Sequence, residues 1–152
     1  MTSPRHVHVI WCDDIRQEIG NKPSFMGVYT GGLVVQALPV VLPRLAIWSW
    51  VITPIEQPIT KLRLIVVRDD GQQLAEIAPD RMDEGASEIP SSTPDATKKI
   101  FMFGLGLGSV ELPADCKYLT VKVETESETL EGPRLPVMIA EMKQATKSAP
   151  AA

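Results

Sequence analysis

Leu45-Ala46-Ile47-Trp48-Ser49-Trp50-Val51-Ile52-Thr53 is the stretch that decides the fold. Successive side chains of a strand point to opposite faces, so Leu45, Ile47 and Val51 share one side and Ala46, Trp48, Trp50 and Ile52 the other. Both sides are apolar, which predicts a central strand covered on both faces. The wider run 31–52 is apolar enough to resemble a membrane span, with Gln36 and Arg44 its strongly polar side chains. Pro39 and Pro43 would damage a helix there and instead bracket a joint between two strand-like runs, so no membrane is expected as a partner.

The same period of two recurs on both sides of this stretch. His6, Val7, His8 and Val9 alternate polar with apolar and open a strand over 6–12. Residues 13–23 are polar and contain Gly20-Asn21, which reads as a connection with one helical turn through Asp14-Ile15-Arg16-Gln17-Glu18. Short strands are predicted over 25–29 and 33–38. The runs 61–68 and 73–77, joined by Asp69-Asp70-Gly71, form a hairpin. Later strands fall at 100–107, 118–125 and 135–140. Roughly eight short strands and no long helix predict an all-β, antiparallel two-sheet sandwich.

At 152 residues and 44% hydrophobic content the chain can bury one core unaided. A single domain is expected over 1–142, with a mobile loop at 79–98, where proline, serine and acidic residues replace apolar periodicity, and a flexible tail at 143–152. The net charge is -4 and no polybasic run occurs, which argues against nucleic acid as a partner. Two cysteines in a chain of this length do not make a disulfide framework. The first residues lack the apolar core of an export signal, so the expected location is the cytoplasm.

Four features invite a chemical reading. His6 and His8 lie on one strand face about 7 Å apart by strand rise, but a metal site needs three or four convergent ligands, and an exposed polar face is the simpler reading. Asp13, Asp14, Arg16, Gln17 and Glu18 form the densest charged cluster and mark the candidate interaction loop. The expectation is that Asp13 or Asp14 caps the following turn and Arg16 pairs locally, because an arginine beside two carboxylates repels a bound cation. Gly104, Gly106 and Gly108 lack the following Lys-Ser/Thr and the helix start of a phosphate loop. They strip one face of a strand, and Trp48 and Trp50, also two apart, are predicted to be buried against them, with an exposed carbohydrate platform as the alternative. Cys12 reads as a small buried hydrophobe, and the chain has no histidine after His8 with which to complete a nucleophilic set.

The run Trp11-Cys12-Asp13-Asp14-Ile15-Arg16-Gln17-Glu18, followed by Gly27-Val28-Tyr29, resembles a family of short bacterial and prophage-encoded proteins of unknown function. The similarity is sharpest from 9 to 29 and weakens through 42–52 and 119–139. It implies a compact β domain of bacterial or phage origin and carries no activity with it. The expected function is a non-enzymatic protein-interaction or structural module, cytoplasmic or part of a virion, with a protein partner or a second copy and no cofactor. The alternative is a β-sandwich that binds a small ligand, a metal or a carbohydrate. Catalysis is not expected.

Overall fold

The computed structural model describes residues 4–80 and 95–140. The chain is all-β, and among the described residues there are twelve strands and no helix. The first sheet has the order β2-β1-β5-β8, from β1 (His6–Glu18), β2 (Lys22–Val28), β5 (Leu45–Pro54) and β8 (Lys98–Leu107), all antiparallel. The second has the order β3-β12-β10-β6-β7, from β3 (Leu33–Val35), β12 (Leu135–Ile139), β10 (Tyr118–Thr125), β6 (Leu62–Arg68) and β7 (Gln73–Ile77), with β11 (Thr129–Glu131) paired to β10. β4 (Val40–Leu42) and β9 (Val110–Leu112) form a separate two-stranded ribbon.

The inner faces meet in one core. Val7, Trp11, Leu45, Ile47, Val51, Phe101 and Phe103 come from the first sheet, and Leu62, Leu64, Val66, Leu119, Val121 and Val123 from the second. Each set has the spacing of two that the pleat requires, so alternation in the sequence becomes a continuous apolar layer. A buried arginine closes one end of this layer. Arg5, 6% exposed, donates to Thr53 Oγ1, Thr125 Oγ1, Ser127 Oγ, the carbonyls of Gln57 and Pro58, and Glu126 Oε1 at 2.6 Å.

Several expectations change. The sandwich is not wholly antiparallel, because β12 and β3 run parallel. β3 stops at Val35, short of the predicted 38, and the Leu38–Pro39 peptide is cis. Residues 13–18 are no connection with a helical turn but the second half of β1, held by pairs from Asp14↔Met26 to Glu18↔Lys22. Helical capping tendencies of the two aspartates lose there to a hairpin ladder, whose turn is made by Gly20 at φ 86° and Asn21 at φ 57°. β8 begins at Lys98, inside the loop expected at 79–98; the rest of that loop, 81–94, and the tail from 141 onward lie outside the described residues. The run 31–52 is divided among β3, β4 and β5, and among the described residues no helix is long and apolar enough to cross a membrane.

Candidate functional site

The candidate residues Asp13, Asp14, Arg16, Gln17 and Glu18 sit on the outer half of the β1–β2 hairpin, which extends past the body of the first sheet. The ladder carries no pair between Asp13 and Gly27, and Gly27 has φ 65°. Before this step Ile10 and Cys12 stand across from Trp48 and Ala46. After it Phe25 lies against Trp48, their rings 5.7 Å apart, and Ile15 and Gln17 line a groove together with Trp48. The hairpin therefore turns a different set of side chains toward the sheet beyond Gly27.

Asp13 and Asp14 fix this step. Tyr29 donates its hydroxyl to Asp13 Oδ1, and the Asp13 carboxyl lies over Gly27 so closely that a Cβ there would sit 2.9 Å from Asp13 Cγ. Only glycine fits, by both space and backbone angle. Burial, and then the hydrogen bond to Asp13, push the Tyr29 hydroxyl far above its ordinary value, so it stays a donor. Asp14 accepts from its neighbour's amide, Ile15 N, at 3.0 Å and from Arg44 Nη1 at 3.3 Å. Arg44 on the approach to β5, not Arg16, is the arginine that answers this cluster; Arg16 is exposed. Burial, reinforced by Asp13 and Asp14, raises the Cys12 thiol, and Cys12 is fully buried. This side chain is a small core hydrophobe, not an activated nucleophile. The pattern Cys12-Asp13-Asp14 with Gly27-Val28-Tyr29 is thus a clip that ties the two strands of the hairpin together where the ladder skips a pair.

The surface under the clip is a groove of about 390 Å³, lined by Asp14, Ile15 and Gln17 from the hairpin and by Trp48, Met102 and Gly106 from the sheet. The predicted cover of the glycines is correct for one of three. The Trp48 ring lies against Gly104, where a Cβ would come within 3.0 Å of it, while Gly106 and Gly108 have nothing within 4 Å. Trp48 and Trp50 touch edge to face at 6.3 Å and are half-buried, neither sunk in the core nor laid bare. β5 is consequently covered on one face by the second sheet and on the other by side chains of its own sheet, Phe25 of β2 among them. Trp48 Nε1 is buried with no hydrogen-bond partner.

The outer faces of the two sheets differ over their central strands, while Val34 and Met138, paired across β3 and β12, stand exposed on the second sheet. On the second sheet Arg63 bridges Glu76 at 2.7 Å and Glu124 at 3.0 Å, and Arg134 pairs with Glu131 at 3.3 Å. On the first sheet the corresponding face carries Ile10, Trp48, Trp50, Ile52, Ile100 and Met102, all half-buried. His6 and His8 border it, exposed, with ring centroids 5.5 Å apart. Among the described residues no group of three or more His, Cys, Asp or Glu side chains converges to hold a metal ion. The sequence reading missed Arg5, Arg44 and Tyr29 as partners; only the glycine two residues before Tyr29 hinted that something lies close to the backbone there.

A family model described as a family of unknown function, DUF6941, matches residues 8–138, a span that holds the whole clip and all but the first two residues of β1 and the last of β12. No curated protein and no solved structure matches the chain.

Proposed function

The chain belongs to this family of unknown function, DUF6941, and on that premise we propose that it is a non-enzymatic interaction or structural module that presents the outer face of its first sheet to a protein. The observation that carries this reading is the contrast between the central strands of the two outer faces: β6, β7 and β10 are laced with ion pairs, whereas β5 and β8 are apolar and bear two half-buried tryptophans. A charged outer face is fully served by water, whereas a contiguous apolar one marks an interaction surface, and Trp is over-represented where binding energy concentrates. Asp13 and Asp14, the residues best suited to a ligand, are already engaged by Tyr29 and Arg44. The sequence resemblance adds a bacterial or phage setting, with the protein in the cytoplasm or in a virion.

A photo-activated cross-linker placed at Trp50 and, separately, at Lys122 on the opposite sheet tests this in the native cell. Adducts with one defined protein from position 50 and none from position 122 are expected. Absence of adducts from position 50, together with a rise in melting temperature on adding calcium, zinc or a saccharide panel, overturns the reading in favour of ligand binding.

A further inference from the structure

β8 is ten residues long and closes one side of the first sheet. It pairs with β5 along its whole length, and among the described residues no strand takes its other edge. Such an edge exposes a row of amide and carbonyl groups and is commonly blunted by prolines, bulges or charges. Here the only charges are Lys98 and Lys99 at its start, and it contains no proline.

Within β8 and just past it, the outer-face residues run Lys98, Ile100, Met102, Gly104, Gly106, Gly108: three long side chains, then three glycines. Gly104 is explained by the Trp48 ring. Gly106 and Gly108 have no positive φ and no neighbour for a Cβ to strike, so nothing within the described chain requires glycine there. Glycine inside a strand costs about 0.5–1 kcal/mol relative to alanine and often marks the close approach of another backbone.

We infer that the occupant of this edge is a second copy of the chain, its β8 paired antiparallel about a two-fold axis at Phe103; the inference rests on the interaction reading above and names its partner. In that register Met102 of one copy faces Gly104 of the other, Ile100 faces Gly106, and Lys98 faces Gly108, twice over by symmetry. Every long outer side chain meets a glycine, as an isologous interface requires of one patch read against itself. The antiparallel sense also keeps the lysines of the two copies at opposite ends. It brings each pair to the end whose groove wall carries Asp14, there shared with Arg44. Parallel pairing would set lysine against lysine. Ten residues at about 3.4 Å each and a sheet depth of about 10 Å give a footprint of roughly 340 Å² per copy, under half the ~800 Å² per partner of a stable complex. The pairing is therefore weak and concentration-dependent, joining two four-stranded sheets into one apolar surface.

Sedimentation of the full chain from micromolar to millimolar concentration, together with cysteine cross-linking, tests this. The double variant Ile100→Cys/Gly106→Cys should form a covalent dimer under mild oxidation while each single variant remains uncoupled, since Cys12 and Cys116 are buried. Gly106→Leu should melt as the wild type does, having open space of its own, yet lose the reversible dimer. A wild-type chain that stays monomeric throughout, or a double variant that couples no better than the single ones, overturns the inference. Self-coupling of Met102→Cys overturns the register. A monomer whose position 50 still cross-links to a different protein ends this inference and leaves the interaction reading standing.

Discussion

Replacing Arg5 by methionine removes a guanidinium whose side chain is 5% exposed and keeps most of its apolar stem. Loss of one partner from a fully buried ion pair costs about 3–5 kcal/mol, because the other charge is stranded. The cost is smaller here. Glu126 is 29% exposed and can regain water, Thr53 Oγ1 still donates to the Gln57 carbonyl at 2.7 Å, and Thr125 Oγ1 still donates to the Glu128 carbonyl at 2.9 Å. The groups left short are the Pro58 carbonyl and the partly buried carboxylate, which brings the expected loss to about 2–3 kcal/mol. For a chain of this length that lowers the melting temperature by roughly 4–12 °C. Urea unfolding followed by tryptophan fluorescence measures it, with Arg44→Met as the control, since the Arg44–Asp14 pair is 67% and 38% exposed and should change stability by less than about 0.5 kcal/mol. The gap between wild type and Arg5→Met should also depend on pH. Burial works to raise the Glu126 carboxyl, but Arg5 and the Thr60 amide outweigh it and hold the group below its ordinary value. A depressed carboxylate stabilises the fold above its unfolded value of about 4.3 and loses that contribution as the pH falls through the lower, folded value. The gap should therefore be widest at neutral pH and narrow below about pH 4. Equal midpoints for Arg5→Met and Arg44→Met at pH 7 would refute the reasoning.

Gly27→Ala should destabilise by more than 2 kcal/mol, about 1–2 for the left-handed backbone and the remainder for the collision with Asp13; chemical denaturation checks it, and relief by adding Asp13→Ala should be only partial because the backbone term remains. Ser49 is fully buried and its hydroxyl has no partner, so Ser49→Ala should leave stability unchanged or raise it by about 1 kcal/mol; a loss above 1 kcal/mol would reveal a hydrogen bond in the core. Gly104→Val should cost about 1–3 kcal/mol by pressing on the Trp48 ring, with a shift in tryptophan emission, whereas Gly106→Val should fall within about 0.5 kcal/mol of wild type.

The elements legible in the sequence are those with strict alternation and local partners. β10 was predicted at its observed bounds, and the β6–β7 hairpin follows from Asp69-Asp70-Gly71, whose glycine has φ 88°. What escaped is non-local or too short to show a period. β4, β9 and β11 have three residues each, and the parallel contact of β3 with β12 joins segments about a hundred residues apart. Arg5 looked like one more polar residue near the start, because nothing local shows that Thr53, Pro58 and Glu126 will converge on it. The cover on the two sides of β5 eludes the sequence for a related reason. An all-apolar strand implies two covers, but a sequence does not say whether the second cover is another layer of the chain or lies outside it.

That last ambiguity bears on where function resides. The pattern most readily recognised, Cys12-Asp13-Asp14 with Gly27-Val28-Tyr29, resolves into a buried thiol, a hydroxyl-to-carboxylate bond and a glycine beneath it, each occupied by another member of the set. A group already satisfied within its own chain has little left to offer a ligand. The clip instead acts at a distance, since the hairpin it anchors lays Phe25 against Trp48 and places Ile15 and Gln17 in the wall of the groove beside Gly104 and Gly106. Loosening the clip, as in Tyr29→Phe, should then cost only about 1 kcal/mol in stability, the worth of one hydrogen bond, yet alter the surface on which the proposed contacts depend. Wild-type cross-linking from position 50 in Tyr29→Phe would show that the clip does not matter to that surface, and would separate the recognisable motif from the function altogether.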